Sequence, residues 1–413
     1  HFIHLKNPYI QRVFKVILKS TAPTAKTTTV TYLFKLTSHR KELYTFMKII
    51  CKKSDLVHGV SIVSKAVSNK TTLPILECIL IEAEAGTITF TANDMELGIE
   101  TTIEGNIIEQ GKIALDAKLF SEIVRKLPDN DVTIETDQDF KAKITCEKAC
   151  FHIIGQEGSE FPYLPEIEKD QSITLSQFSL KEIIRQTIFS ISDNDNTKLM
   201  TGELFEVKDN CLSVVSLDGH RISIRKLELN GNYDDFKVVV PGKTLQEIVK
   251  IISGEMEDEV SIYVTSKHIL FEFDNTKVVS RLLEGEYYKI SQMLSSDYET
   301  KVVINKKEFL NCIDRASLLI RESDKKPIIL NITDHTMELN ISSFFGSMEE
   351  SIMIQKEGRD LLIGFNPKFL MDVLRVIDDE EICIYLVNPK APCFIRDDQE
   401  SYTYLILPVN FNH

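Results

Sequence analysis

Repetition constrains this chain more than any other feature. The segment Asp116-Ala-Lys-Leu-Phe-Ser-Glu-Ile-Val-Arg-Lys-Leu returns as Pro241-Gly-Lys-Thr-Leu-Gln-Glu-Ile-Val-Lys-Ile-Ile. It returns again as Asn366-Pro-Lys-Phe-Leu-Met-Asp-Val-Leu-Arg-Val-Ile, each time 125 residues on. Each copy opens on a capping residue or Pro and continues with apolar positions at helical spacing. In the first copy Phe120, Ile123, Val124 and Leu127 form that face. A second triplet starts at Lys48, Ser172 and Lys301, at intervals of 124 and 129 residues. Its members read as a short strand, a capping residue and an amphipathic helix, with helices over 54–67, 176–190 and 305–319.

Between the helices, apolar and polar residues alternate in short runs. Examples are Thr87–Thr91, Leu212–Ser216, Ser261–Thr265, Glu338–Ser342 and Cys383–Leu386, with turns at Ala85-Gly86 and Asp209-Asn210. Each repeat therefore reads as strand, helix and three strands, twice over. The expected architecture is α+β, with three units at 47–168, 171–296 and 300–412. In each, two helices pack together on one face of antiparallel sheets.

Residues 1–46 do not share this pattern. They hold eight Lys and Arg, one acid (Glu42) and a Thr-rich run from Thr21 to Thr31. They read as an organellar presequence or as an upstream extension with Met47 as the natural start, and in neither case as part of the fold. The whole chain carries 48 Lys and Arg against 62 Asp and Glu, a net charge of -14. Without the first 46 residues the net charge is -21. Taken alone, that balance argues against a nucleic-acid protein.

The position of the charge reverses that argument. Lys118, Lys243 and Lys368 occupy one repeat position, and Arg125, Lys250 and Arg375 another, seven residues on. Seven residues is close to two helical turns, so each pair shares a helix face. The first helices add Lys65, Lys181, Arg185, Lys306, Lys307 and Arg315. A basic face on every repeat suits a phosphate backbone bound without sequence readout. The eight cysteines read as reduced structural thiols. No metal or cofactor is implied, because Cys146 and Cys150 have no second close pair. No apolar run is long enough to span a membrane, and a cytoplasmic protein is expected. Asp218-Gly219-His220-Arg221 is the best local constellation. A phosphate site or an acid–base pair is conceivable there, but no nucleophile accompanies it, and a turn with a binding role fits better.

In its ordered motifs the chain resembles the bacterial DNA polymerase III beta subunit family, the sliding clamps. The matching residues are Thr72-Leu73-Pro74-Ile75-Leu76, Asn93-Asp94-Met95-Glu96 and Phe161-Pro162 in the first unit. In the second they are Thr201-Gly202, Leu204-Phe205-Glu206, Asp218 to Arg221 and Val240-Pro241. In the third they are Gly364-Phe365-Asn366, Asp372-Val373-Leu374 and Leu407-Pro408-Val409. The resemblance implies the DNA-clamp fold and a head-to-tail homodimer, a six-domain ring around duplex DNA. Such a ring has no catalytic activity of its own. It tethers the replicative polymerase catalytic subunit, is opened by a clamp loader, and serves other replication and repair proteins carrying a clamp-binding motif.

It further implies a partner-peptide pocket formed by Leu199, Leu217, Gly219, His220, Arg221 and Ile222 facing Phe369, Leu405, Leu407, Pro408 and Val409. A ring contact would join Phe151 and Ile153 to Leu318 and Leu319, and Lys70 would lie near DNA. The chain departs from the family at Thr197-Lys198-Leu199-Met200, where many members carry an Arg. It departs again at Tyr287-Tyr288-Lys289-Ile290, and near Ser295, where a proline is expected. The competing readings are a monomeric peptide-binding scaffold that does not encircle DNA, and an enzyme using Asp218 and His220.

Overall fold

The computed structural model describes residues 47–68, 71–294, 297–320 and 326–411. The basic segment 1–46, Lys70 and Ser295 lie outside the described residues. Six α-helices are present among the described residues. They are α1 (Lys53–Val63), α2 (Ala117–Lys126), α3 (Gln177–Arg185), α4 (Gly242–Ile251), α5 (Lys306–Ser317) and α6 (Pro367–Val376). They pack in the expected pairs, α1 with α2, α3 with α4 and α5 with α6.

The capping residues legible in the sequence act as caps. The side chains of Asp116, Ser176, Asn305 and Asn366 accept from the backbone N–H groups of Leu119, Ser179, Glu308 and Lys368. Each satisfies an orphan donor of a first turn. Pro367, at the first position of α6, has no N–H to orphan. The middle repeat has Pro241 and Gly242 here instead. A Cβ on Gly242 would lie 2.4 Å from Ile191 and 2.8 Å from the Thr201 carbonyl oxygen, so close backbone approach replaces the cap.

The first helices end earlier than their apolar periodicity predicts. The Ser64 hydroxyl donates to the Val60 carbonyl oxygen, and the Thr187 hydroxyl donates to that of Ile183 at 2.7 Å. These side chains compete with the backbone ladder, and short 3₁₀ turns follow at Ser64–Ala66 and Ile188–Ser190. After α5 the N–H groups of Leu318 and Leu319 turn back to Arg315 and Ala316, again the tighter spacing.

By its contacts the chain divides into two compact units. The first runs to Tyr163, without Met95–Ile99; the second comprises Met95–Ile99 and everything from Leu164. In the first unit a five-stranded sheet runs in the order Asn106–Glu109, Lys48–Lys52, Asp131–Thr136, Lys141–Cys146, Ala149–Ile154. A second layer orders Gln156–Glu157, Gly111–Asp116, Cys78–Glu84 and Thr87–Asn93. The hairpin before Thr87 turns at Ala85 (φ 50°) and Gly86 (φ 89°), the paired left-handed conformation a tight hairpin needs.

The second unit contains both later repeats, and they share one sheet of 12 strands. The join is an antiparallel pairing of Arg221–Glu228 with Tyr402–Ile406, in which Ile222 faces Leu405 and Ser223 faces Tyr404. The Tyr404 hydroxyl, buried behind this seam, donates to the Gln186 carbonyl oxygen at 3.1 Å. The expected units 171–296 and 300–412 are thus one compact body, because a continuous hydrogen-bonded ladder crosses between them. The third-repeat core, with Phe309, Ile313, Phe365, Leu370 and Leu374, lies between α5, α6 and the strands beneath them.

Two residues break the polar logic of this interior among the described residues, Gln186 through its Oε1 and, more severely, Glu203. Glu203, in the strand Gly202–Lys208, is wholly buried, and neither carboxyl oxygen has a hydrogen-bond partner among the described residues. The neighbouring Thr187 hydroxyl is committed to the α3 carbonyls of Ile183 and Ile184. Burial pushes the Glu203 carboxyl up to about 8.

The folded state therefore holds this proton more tightly than the unfolded chain. The stability it supports is complete below the ordinary carboxylate range and is lost as pH rises towards 8. Glu203→Met is expected to stabilise the chain, with a gain about 3 kcal/mol larger at pH 7.5 than at pH 5. Denaturant unfolding of both proteins at the two pH values checks this. An equal gain at both would show that Glu203 does not titrate in that range.

Candidate peptide pocket and nucleic-acid interface

The Asp218 to Arg221 segment folds as a turn organised by its own carboxylate. Asp218 Oδ1 accepts from the N–H groups of His220 (2.9 Å) and Arg221 (3.1 Å). Gly219 sits at φ +88° with open space around its Cα, so conformation and not crowding calls for glycine there. The turn leaves His220 exposed, its ring 6.0 Å from that of Phe369 with the planes 24° apart. The His220 carbonyl oxygen accepts from the Leu407 N–H at 2.9 Å, which brings the C-terminal segment to the same place.

Arg221 differs from its expected role. Its side chain is only 6% exposed, and all three guanidinium nitrogens are engaged. Nε donates to Asp218 Oδ2 at 3.0 Å, Nη1 to Asp372 Oδ2 at 2.7 Å, and Nη2 to the Phe189 carbonyl oxygen. The guanidinium carbon lies 4.5 Å from the Phe369 ring centroid and 5.4 Å from that of Phe189. Arg221 is therefore a buried support, with each guanidinium nitrogen already engaged by the protein. Asp372, noted in the sequence only as a matching residue, is its partner across the two repeats.

The apolar residues divide by depth. Leu217, Ile222 and Leu405 are buried in a cluster with Leu204, Val215, Tyr287, Ile290, Tyr385 and Phe394. Leu199 is half-buried against that cluster. Gly219, His220, Phe369, Leu407, Pro408 and Val409 are the more accessible members of the expected set, with Leu407 37% exposed. The Val409 N–H donates to the Gly364 carbonyl oxygen at 2.8 Å and holds the C-terminal segment to the third repeat. The run Tyr287-Tyr288-Lys289-Ile290 covers the cluster, and the Tyr287 hydroxyl donates to the Val215 carbonyl oxygen at 3.3 Å. Its apolar spacing, Leu283, Tyr287 and Ile290, was the available signal for this role.

The basic positions also separate into two groups. Lys118, Arg125, Lys243, Lys250, Lys368 and Arg375, on the second helices, are all exposed. Lys250 pairs with Glu247 at 2.8 Å, and Arg375 lies 3.8 Å from Asp314. Most first-helix cations have internal duties. Lys181 Nζ donates to the Ile252 carbonyl oxygen at 3.4 Å and Lys306 Nζ to that of Ile377 at 2.6 Å. Those carbonyls close the C-termini of α4 and α6, where a cation also answers the helix dipole.

Arg185 is held by Glu182 and by Asp378, and Arg315 by Glu350. The hydrogen bond and charge of Arg315 hold the Glu350 carboxyl below its usual range. Lys307 is exposed and Lys65 half-buried. Residue type and helical spacing do not reveal which lysines reach a partner helix end.

The apolar positions expected at a ring contact are surface features. Phe151 (38% exposed) and the half-buried Ile153 lie on Ala149–Ile154, an edge strand. Leu318 is 83% exposed, whereas Leu319 packs against the third-repeat core. Exposed apolar residues not singled out in the sequence include Ile154 (79%) on the same edge strand, Phe344 (94%) at a hairpin tip and Met353 (69%) on its returning strand.

The chain is similar to known proteins along most of its length. Family models for the DNA polymerase III beta subunit match in order along the chain. The N-terminal domain matches residues 47–165, the central domain 174–289 and the C-terminal domain 291–410. A beta sliding clamp of Staphylococcus epidermidis is 35% identical over 374 residues, covering 88% of this chain and 99% of that protein. The crystal structure of a putative DNA polymerase III beta subunit from Eubacterium rectale is 68% identical with a TM-score of 0.87. It covers 89% of this chain and 100% of its own. A sliding clamp from Bartonella birtlesii, solved bound to griselimycin, is 26% identical with a TM-score of 0.84, covering 89% of this chain and all of its own.

The Arg221 network carries a direct expectation. Arg221→Ala leaves two carboxylates facing each other without their cation, and is expected to destabilise the second unit by about 3–5 kcal/mol. Chemical unfolding of the variant checks this. A loss below about 1 kcal/mol would mean that the network is as weak as a surface ion pair.

Proposed function

The chain belongs to the DNA polymerase III beta subunit family, the beta sliding clamps, and on that premise we propose that it acts by encircling duplex DNA as a head-to-tail homodimeric ring. It is a processivity factor of a DNA polymerase, with three sheet-rich domains. The boundaries 47–168, 171–296 and 300–412 are our assignment of those domains. In the proposed ring, two copies contribute six domains and twelve helices. The observation that carries this reading is the set of six exposed cations at matching positions of α2, α4 and α6. Repeated around a ring, they give an even, sequence-independent grip on phosphates that permits sliding. Lys307 and Lys70 would add to it, while Lys181, Arg185, Lys306 and Arg315 mainly hold the helices that present it. The acidic surplus then lies on the other faces, where it limits nonspecific contacts.

The reading assigns no catalytic step to the chain. Asp218 and His220 build and flank a turn, and the carboxylate is already occupied by backbone N–H groups and Arg221. The slot rimmed by Leu199, His220, Phe369 and Leu407 to Val409 would take a linear motif from the replicative polymerase catalytic subunit. The clamp loader and other replication and repair proteins would dock there in turn. Griselimycin, bound to the Bartonella birtlesii clamp, is proposed as a ligand of the same slot. The ring contact would join Phe151 and Ile153 of one copy to Leu318 and Leu319 of the next, a heterologous contact closed by two-fold symmetry. No described helix is long and apolar enough to cross a membrane, and a cytoplasmic site of action is proposed.

The loaded protein should remain on nicked circular duplex and leave when the circle is cut, because only a ring is topologically trapped. A solution mass of one chain at micromolar concentration, with no assembly on DNA, would overturn the ring. Lys243→Ala enters a dimeric ring twice. It is expected to lower the salt dependence of DNA binding by up to about two units of log–log slope, uniformly across DNA sequences. Titrations at several salt concentrations read that slope.

A further inference from the structure

We propose that Asp372 is a positioning residue of the peptide pocket: through Arg221 it fixes the Phe369 ring in the pose that a ligand meets. The inference rests on the reading that this slot binds a partner motif. Asp372 and Phe369 are three residues apart on α6, so they share a face of that helix. One guanidinium touches both, with Nη1 2.7 Å from Asp372 Oδ2 and its carbon 4.5 Å from the Phe369 ring centroid. The other end of the same group is held by Asp218 at 3.0 Å. Asp218 in turn shapes the Gly219-His220 turn through its second oxygen.

The two carboxylates thus clamp a planar cation, and that plane is a platform for Phe369. Exposed His220 and half-buried Phe369 together form the aromatic part of the proposed rim. The Asp372 side chain is 17% exposed and sits behind this rim. Its contribution to binding is therefore pre-organisation rather than contact. Without its charge the guanidinium keeps Asp218 and the Phe189 carbonyl but is held to α6 only by a weaker neutral acceptor. A ligand must then order Phe369 itself, and that ordering weakens binding.

Griselimycin is the probe, titrated calorimetrically into the full chain well below its unfolding temperature. Asp372→Asn is expected to weaken binding by about tenfold, equivalent to about 1.4 kcal/mol. Phe369→Ala is expected to weaken it further. In the Phe369→Ala background, Asp372→Asn should add less than about twofold, because the two residues act through one contact. Asp372→Glu, which keeps the charge, should bind within about twofold of the parent, and it also serves if the Asn variant does not fold.

A merely structural role for Asp372 predicts multiplying losses in the double variant, and that result overturns the inference. Unchanged binding by Asp372→Asn overturns it equally. If the parent does not bind griselimycin, or Phe369→Ala binds as the parent does, the pocket reading itself falls and the inference with it. A normal Phe369→Ala loss beside an unaffected Asp372→Asn sinks only the positioning role.

Discussion

One buried guanidinium fastens the second and third repeats beside the strand ladder that joins them. Arg221 reaches a carboxylate and a carbonyl of its own repeat, a carboxylate of the next, and aromatic rings of both. A charge at this depth is stable only when it is paired and hydrogen-bonded, and here each guanidinium nitrogen has a partner. The turn carrying Gly219 and His220, the face of α6 with Phe369 and Asp372, and the seam from Ile222–Leu405 to Ser223–Tyr404 all meet at this point. The proposed slot would be framed by that junction.

The same economy governs the basic residues. A cation on a helix can face solvent or satisfy the carbonyls that a neighbouring helix leaves open at its end. Lys181 and Lys306 do the second, in consecutive repeats and with equivalent targets, Ile252 and Ile377. The second helices keep their cations exposed, at the same two positions each time. Cations that close helix ends therefore sit on the first helices, while the second helices keep theirs exposed at matching positions.

Much of this was legible in the sequence because it depends on local rules. Asp116, Ser176, Asn305 and Asn366 announce helix starts by chemistry that acts within three residues. The strands around Thr87, Leu212 and Glu338 follow from alternation, and the hairpin turns from residues that accept positive φ. The candidate slot was legible only in part. Leu217, Ile222 and Leu405 were found, yet they belong to a buried cluster. The cover from Tyr287 to Ile290 looked like a departure from the family and proved to be packing. Arg221 looked like a ligand-facing residue because its partner Asp372 is 151 residues away.

By itself the sequence determined the three repeats, the helix and strand pattern, the caps and the recurring basic positions. Each of these rests on spacing or on side chains acting on their own neighbours. Only the tertiary structure decided that two repeats fuse through a continuous ladder and which lysines close helix ends. It alone also placed the Glu203 carboxyl in the interior, with no hydrogen-bond partner found for it among the described residues. Those outcomes depend on pairings between residues far apart in the chain. Such pairings are settled by the balance of desolvation against available partners, and a single line of residues does not display that balance.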